Sequence, residues 1–337
     1  MRAIFVLVVF LSACSNQPSS GTSPTPSLTA SPTPTASPTP TGSPTPSPSP
    51  ISLPSIAQLS APSGTVVWAR LAGTRLFRSS DRGDTWTERT VPTGVTNLEV
   101  SFADDTNGLL LNTGSPATQC QTQAASIWKT ADGAASWQQI TATGIADAMC
   151  KSGIASADAT HALFAAWSPN AAPVIYRTAD DGQTWKASTK LPDPPGFTTQ
   201  SVGIALRPSR PRAFASNVLV DAVGLGLTSG VATRYVFRST DSGATFTYVS
   251  TVPGSEGAVA YATATRWLLI APPSSSMETT DGGAAWHAYT TDYSQAAPIA
   301  PDVVFGDPTN GYATVRGSIQ RTTDGGAHWT TLKTPGT

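Results

Sequence analysis

An eight-residue pattern that recurs six times constrains the fold of this chain more than any other feature. Each copy, here called an Asp repeat, reads Ser or Thr, any residue, Asp, two residues that usually include Gly, a spacer, a usually small residue and an aromatic. The copies are SSDRGDTW at 79–86, TADGAASW at 130–137, TADDGQTW at 178–185, STDSGATF at 239–246, TTDGGAAW at 279–286 and TTDGGAHW at 322–329. Successive aspartates lie 51, 48, 61, 40 and 43 residues apart, which is the period of a four-stranded repeating unit.

The composition of each Asp repeat suits a hairpin turn between two short strands. Asp carboxylates and Ser or Thr hydroxyls accept hydrogen bonds from turn N–H groups, and Gly supplies positive φ. The aromatic side chain opens the outgoing strand and can pack over the turn. The sequence therefore predicts an all-β fold, a six-bladed β-propeller with four-stranded antiparallel blades and the Asp repeats in the hairpins between strands 3 and 4. Seven blades are the alternative if a degenerate blade lies around 220–231.

The Asp repeats resemble the Asp box, or BNR repeat, of sialidase-like propellers. Strands such as Gly-Leu-Leu-Leu at 108–111 and Gly-Tyr-Ala-Thr at 311–314, set before T-x-D-G-G-x-x-W hairpins, resemble more narrowly the photosystem II assembly and stability factor family. The resemblance covers roughly residues 60 to 333 and implies that the repeat residues are structural. These residues are Asp81, Asp132, Asp180, Asp241, Asp281, Asp324, Trp86, Trp137, Trp185, Phe246, Trp286 and Trp329. Ala134 and Phe246 depart from the pattern, so we expect looser turns in the second and fourth copies.

The N-terminal segment is typical of an exported bacterial lipoprotein. Arg2 and an apolar run precede Leu11-Ser12-Ala13-Cys14, a match to the lipobox in which Cys14 is lipidated, and the run is too short for a membrane-spanning helix. Residues 17–54 hold 12 of the 29 prolines, and no Lys, Arg, Asp or Glu occurs between Arg2 and Arg70. This composition favours an extended tether reaching on the order of 100 Å. We therefore predict a signal peptide (1–13), a lipidated Cys plus disordered tether (14–55) and a propeller (56–337). The protein is expected to be exported and lipid-anchored to the outer face of the bacterial cell membrane or to the cell surface.

Two further cysteines are candidates for a disulfide, because the chain is predicted to be exported. Cys120 falls in the predicted loop between strands 2 and 3 of blade 2, and Cys150 falls in the connector that leaves this blade. Both segments should emerge on the face opposite the Asp repeats. A bridge between Cys120 and Cys150 is therefore predicted.

Charge and motif content argue against several classes of function. Twenty basic and 21 acidic residues give no large field of one sign, so nucleic acid is not expected as a partner. The three histidines lack the spacing of metal ligands, and no phosphate loop opens a helix. We expect neither a cofactor nor a metal.

A glycosidase is the enzymatic alternative, since the resembled sialidases carry the same boxes. Such an enzyme needs an arginine triad, a tyrosine nucleophile with a glutamate, and an aspartic acid. Glu256 with Tyr261 is the nearby Glu/Tyr combination, and the Phe/Tyr-Arg-Ile-Pro signature is absent from the predicted first blade. The favoured prediction is a non-catalytic, membrane-anchored propeller that binds a protein partner in assembly or scaffolding, with a sialidase-like hydrolase or a glycan-binding propeller as the alternative.

Candidate binding residues fall into two groups. Three arginines in Leu-Arg-Pro-Ser-Arg-Pro-Arg at 206–212 align with the first hairpin turn of other blades, which predicts a place on the face of the Asp repeats. Aromatic and acidic residues in longer loops are expected on the opposite face and suit protein or sugar contacts. The candidates are Arg207, Arg210, Arg212, Phe197, Tyr289, Asp292 and Tyr293.

Overall fold

The computed structural model describes residues 58–71, 73–169, 171–197, 206–225, 232–254, 256–272, 274–294, 301–315 and 318–335. Cys14 and the predicted signal peptide and tether lie outside these residues. Six sheets account for the strands described, and each is built from one contiguous stretch of chain. The first three blades comprise β1 (Gln58–Ser60), β2 (Val67–Leu71), β3 (Arg75–Ser79) and β4 (Thr87–Arg89); β5 (Leu98–Phe102), β6 (Gly108–Thr113), β7 (Ala125–Thr130) and β8 (Gln138–Ile140); and β9 (Cys150–Ser156), β10 (Ala162–Ser168), β11 (Ala171–Thr178) and β12 (Lys186–Ala187).

The remaining three blades follow the same antiparallel order with one irregularity. They comprise β13 (Arg207–Pro208), β14 (Arg212–Phe214), β15 (Asn217–Leu225), β16 (Ala232–Ser239) and β17 (Thr247–Thr251); β18 (Ala258–Tyr261), β19 (Trp267–Ile270), β20 (Met277–Thr279) and β21 (His287–Ala288); and β22 (Val303–Phe305), β23 (Gly311–Val315), β24 (Ser318–Thr322) and β25 (Thr330–Leu332). In blade 4, β13 and β14 both pair with β15. The predicted six-bladed, four-stranded architecture is confirmed. Of the region proposed for a seventh blade, residues 220–225 belong to the long strand β15 of blade 4 and residues 226–231 lie outside the described residues.

The core lies between blades. Six clusters of buried side chains each join two neighbouring sheets, and the last joins blade 6 to blade 1 through Leu59, Tyr312 and Leu332. Between blades 1 and 2, the fully buried Trp68 stacks on Phe102 with ring centroids 3.5 Å apart. Burying an aromatic side chain removes about 150–250 Å² from water, a gross gain of roughly 4–6 kcal/mol at 25 cal/mol per Å². Apolar burial therefore holds each blade against its neighbours.

Two turns of every blade lie on the same face. The fourth residue of each Asp repeat donates its backbone N–H to a carbonyl in the turn between strands 1 and 2 of the same blade. The six pairs are Arg82 to Thr65, Gly133 to Thr106, Asp181 to Thr160, Ser242 to Ser216, Gly282 to Thr265 and Gly325 to Thr309. We call this side the Asp-repeat face. The loops between strands 2 and 3 emerge on the opposite face.

One short helix, η1 (Thr118–Cys120), lies in the loop between β6 and β7. Among the residues that the structure describes, no helix has the length and apolar character needed to cross a membrane.

Candidate functional site

The six Asp repeats share one hydrogen-bond pattern. In the fifth copy, the hydroxyl of Thr279 donates to Asp281 Oδ1 over 2.7 Å and accepts the backbone N–H of Gly283 over 2.9 Å. The same carboxylate oxygen accepts the backbone N–H of Ala285 over 3.0 Å. The fourth and fifth residues of every copy have positive φ, a backbone conformation that favours Gly. Each aspartate therefore closes its own hairpin.

The second and fourth copies keep this pattern, contrary to the expectation that they would be looser. Ala134 adopts φ +59 and donates its backbone N–H to Thr130 Oγ1 over 2.9 Å. Phe246 is 5 % exposed and packs between blades 3 and 4. The substitutions are absorbed without loss of the turn.

Local donors lower the pKa of these carboxyl groups. Hydrogen bonds from Ser79 and Thr85 hold the pKa of Asp81 at about 2. Hydrogen bonds from the hydroxyl and N–H of Ser136, and then from Thr130, do the same for Asp132. Such carboxylates stay charged and hydrogen-bonded at neutral pH and are poor general acids.

The aromatic that ends each repeat meets the chain leaving the preceding blade. Trp137 Nε1 donates to Thr90 O over 2.9 Å, and Trp329 Nε1 donates to Gly326 O over 2.8 Å and to Thr291 Oγ1 over 3.1 Å. Trp185 and Trp329 are buried, whereas Trp86, Trp137 and Trp286 are half-buried at blade boundaries. The aromatic residues of the repeats thus link neighbouring blades through packing and hydrogen bonds.

A cation that sequence reasoning missed stands directly before the first residue of five repeats, namely Arg78, Lys129, Arg177, Arg238 and Arg321. Four of these side chains cross to the turns of the next blade. The contacts are Arg78 Nε to Asp105 Oδ1 at 2.7 Å, Lys129 Nζ to Asp181 Oδ2 at 2.9 Å, Arg238 Nη2 to Gly282 O at 3.3 Å and Arg321 Nη1 to Asp84 Oδ1 at 2.8 Å. Comparison of the residue that precedes each of the six repeats would have revealed these cations from the sequence.

The innermost strands enclose a cavity of about 390 Å³ on the propeller axis. Side chains of one inner strand bond the backbone of the next: Glu99 Oε2 accepts the N–H groups of Gly153 and Ile154, and Ser101 Oγ accepts that of Ser156. The axial cavity is therefore polar and internally braced.

Arg210 and Arg212 lie in this cavity, which corrects the predicted position on the Asp-repeat face. The turn of blade 4 is formed by Ala215 and Ser216 instead. Arg210 Nη1 donates to Leu59 O over 2.9 Å, and Arg212 Nη2 donates to Phe305 O. Burial and the charge of Arg210 lower the pKa of Arg212 to about 10. Both arginines brace blade 4 against blades on the far side of the axis.

An Arg, Asp and Tyr cluster completes the axial cavity. Arg234 Nε lies 3.7 Å from Asp221 Oδ2, Tyr261 Oη donates to Asp221 Oδ1 over 3.4 Å, and Ser209 Oγ donates to Asp221 Oδ2 over 2.8 Å. Burial and the Asp221 charge raise the pKa of Tyr261 well above its usual value. Glu256, the predicted partner of Tyr261, is exposed and does not share this contact. A tyrosine held neutral in this way is a poor nucleophile.

On the opposite face, a disulfide links Cys120 to Cys150, with Cα atoms 4.9 Å apart. Beside it, the Nζ atom of Lys151, a residue that is 4 % exposed, lies within hydrogen-bond distance of four backbone carbonyl oxygens. These are Gln123 O at 2.6 Å, Asp147 O at 3.0 Å, Ala148 O at 3.2 Å and Met149 O at 3.0 Å. We call residues 114–124 the pinned loop, because these bonds fix its end while residues 114–118 stay exposed.

Arg207 lies close to the pinned loop on the same face, which corrects its predicted position on the Asp-repeat face. Its guanidinium stacks over the ring of Trp167 at 4.6 Å from the centroid, and Trp167 pairs with Cys150 across β9 and β10. Arg207 is exposed and Trp167 is half-buried. The pinned loop and this Arg–Trp pair form the candidate binding surface.

The other predicted binding residues do not gather there. Phe197 and Tyr293 are 4 % and 2 % exposed and belong to the clusters between blades. Tyr289 Oη donates to Gly325 O over 3.1 Å, and Asp292 Oδ1 accepts the N–H of Trp329 over 2.7 Å. Tyr289 and Asp292 therefore support the sixth Asp repeat, which contradicts their predicted place on the opposite face. Burial raises the pKa of Tyr293 to about 12.

Each of the three histidines contacts an acid in its own blade: Asp158 for His161, Glu278 for His287 and Asp324 for His328. The part of the chain that the structure describes contains no cluster of three or more potential metal ligands.

Comparison with known proteins finds the fold but no family. No family model matches the chain, and no curated protein matches it. Among solved structures, a protein of unknown function from Dyadobacter fermentans DSM 18053 is 14% identical, with 81% of this chain and 91% of that chain covered and a TM-score of 0.51. YCF48 from Cyanidioschyzon merolae is 16% identical over 84% and 87% of the two chains, with a TM-score of 0.49. YCF48 bound to a D1 peptide is 16% identical over 83% and 82%, with a TM-score of 0.45. At such identities the likeness shows the propeller fold alone.

Proposed function

We propose that this chain is a lipid-anchored propeller outside the bacterial cytoplasm that binds a protein partner and serves in assembly or scaffolding. Leu11-Ser12-Ala13-Cys14 supports the anchor, and the Ser-, Thr- and Pro-rich segment after it supports a tether that holds the propeller away from the bilayer.

The pinned loop is the observation that carries the binding role. Exposed residues 114–118 have no charged side chain. The segment that follows them is nevertheless fixed by a disulfide and by the buried ammonium of Lys151. A loop fixed before binding loses less entropy when a partner docks. The neighbouring Arg207 and Trp167 are residue types enriched in the centres of protein interfaces.

Site-specific photocrosslinking on intact cells tests this role. A photoreactive amino acid at Thr118, on the pinned loop, is compared with one at Ala135, which is exposed on the Asp-repeat face. We expect a discrete crosslinked protein from Thr118 and none from Ala135, and weaker crosslinking from Thr118 when Arg207 is changed to Ala. Equal crosslinking from both positions would contradict the assignment of the surface.

The anchor has its own test. Cys14→Ser should abolish incorporation of a labelled fatty acid and release the protein from the membrane fraction, because no acyl chain then holds it. Retention of label in the variant would refute lipidation at Cys14.

A sialidase-like hydrolase is the second candidate, favoured by the meeting of Arg210, Arg212, Arg234, Tyr261 and Asp221 around the axial cavity. The existing bonds of these side chains weigh against it. Turnover of a fluorogenic glycoside panel that is lost in Tyr261→Phe would replace the binding role with this one.

A further inference from the structure

Among the residues that the structure describes, the boundary between blades 3 and 4 lacks a contact that the other boundaries have. Elsewhere a cation crosses to the next blade: Arg78, Lys129, Arg238 and Arg321 do so as described, and at blade 5 Arg266 Nη2 donates to Gly325 O over 2.9 Å. Blade 5 has Glu278 at the position before its repeat, and this residue pairs with Arg266. At five boundaries, therefore, a cationic side chain on the Asp-repeat face forms an ion pair or a hydrogen bond with the next blade.

Arg177 occupies the equivalent position at the remaining boundary. The turn between strands 1 and 2 has five or six residues in the other blades, but in blade 4 it contains only Ala215 and Ser216. Ser242 stands where the preceding boundary has Asp181. Arg177 Nε is buried and has no hydrogen-bond partner within the described part of the chain. The short turn has removed the groups that would meet this guanidinium.

A cavity of about 190 Å³ lies beside this short turn. Ala162, Leu163, Ala213 and Val218 give it apolar walls, and Arg177 gives it a cation. The cavity is small compared with the ~300–1,000 Å³ of pockets for drug-sized molecules.

Two other ionisable groups face this cavity. Asp158 Oδ1 accepts hydrogen bonds from the N–H groups of Thr160 and His161, both at 2.8 Å, and from Thr160 Oγ1 at 3.0 Å. His161 Nδ1 lies 2.9 Å from Asp158 Oδ2. Among the described residues, the Asp158 carboxylate is therefore hydrogen-bonded by its own turn and by His161, and not by Arg177.

We propose that this cavity binds a carboxylate that carries a short apolar body. A carboxylate can take two parallel hydrogen bonds from a guanidinium, and a short alkyl group would fill the space between the alanine, leucine and valine side chains. A doubly charged phosphate or sulfate fits less well, because Asp158 lies at the same cavity and repels added negative charge. The carboxylate is supplied either by a free short-chain acid or by a glutamate side chain of another protein.

Nuclear magnetic resonance of the histidine rings tests the proposal on the folded protein. The chain has three histidines, and only His161 lines this cavity among the residues described. Butyrate should shift the His161 signals saturably and leave those of His287 and His328 in place, whereas sodium chloride at equal ionic strength should not. A glutamate blocked at both termini provides the second arm, and the tighter of the two ligands identifies the source of the carboxylate.

Matched variants distinguish the pocket from general charge effects. Arg177→Gln should weaken binding about tenfold or more through loss of the charge-assisted pair. Arg238→Gln removes the equivalent cation at the next boundary and should leave binding unchanged. Ala213→Leu fills the cavity while keeping Arg177, so it should also abolish the shift, and its thermal transition checks that it folds. Absence of a saturable shift in the wild type, or equal binding by wild type and Arg177→Gln, would overturn the proposal.

Discussion

Replacement of Thr279 by Val tests whether the Asp repeats stabilise the ring. Thr279 is fully buried, and its hydroxyl bonds both the Asp281 carboxylate and the Gly283 N–H. Valine keeps the shape of threonine but can do neither. The predicted consequence is a less stable propeller with an unchanged fold.

The size of the effect follows from these two bonds. A hydrogen bond to a charged group contributes about 1.5–3 kcal/mol, and a buried N–H left unpaired costs about 1–3 kcal/mol. Because the two share one hydroxyl, they do not add fully, so we expect a loss of about 2–4 kcal/mol. For a propeller of this size, that loss lowers the melting temperature by roughly 3–7 °C.

Differential scanning calorimetry and urea unfolding followed by tryptophan fluorescence measure the loss. Thr87→Val is the control, since Thr87 is exposed on β4 and should change stability by less than about 0.5 kcal/mol. If Thr279→Val unfolds at the same temperature as Thr87→Val, the hydroxyl does not support the turn and the reasoning fails.

Three further perturbations probe other parts of the structure. Asp81 and Asp132 have pKa values of about 2 in the folded protein and about 3.9 when unfolded, so their stabilising contribution is complete above pH ~5 and is lost as the pH falls towards ~2. The melting temperature should therefore decline between about pH 5 and pH 2, and a melting temperature that stays constant over this range would contradict the reasoning. Changing both Cys120 and Cys150 to Ser removes a link across 30 residues, which should cost about 3.6 kcal/mol and give the same urea midpoint as wild type under reductant. A wild-type midpoint insensitive to reductant would argue against the link. Lys151→Met removes the ammonium that contacts four backbone carbonyls and should cost about 2–4 kcal/mol, seen as faster amide hydrogen exchange in residues 114–124. Unaltered exchange there would show that the ammonium does not pin the loop.

The architecture could be predicted from sequence because its signal is local and repeated. Every Asp repeat contains its own hydroxyl, carboxylate and positive-φ positions, so six copies at blade spacing specify six hairpins. The order of strands in a blade also indicates that Cys120 and Cys150 emerge on one face. Neither inference needs knowledge of which blade packs on which.

Residues whose role depends on a neighbouring blade could not be placed in this way. Pro208 and Pro211 make the segment that carries Arg210 and Arg212 look like a turn, but it is an interrupted inner strand facing the axis. Phe197 packs against Gly224, where an added Cβ would lie 2.6 Å from its ring, so its burial depends on a glycine far along the chain. Arg177 is informative only by contrast with its five counterparts.

Each sheet is drawn from one uninterrupted stretch of chain, and this has a consequence for how the ring comes apart. Five boundaries are spanned by a covalent connector, whereas the boundary between β25 and β1 is closed by side chains such as Tyr312 and Leu332 and by Arg321 reaching Asp84. Blades 6 and 1 can separate without any strain on the backbone, so transient opening of the ring should begin at that seam. A circular permutation would relocate the seam without altering a single blade.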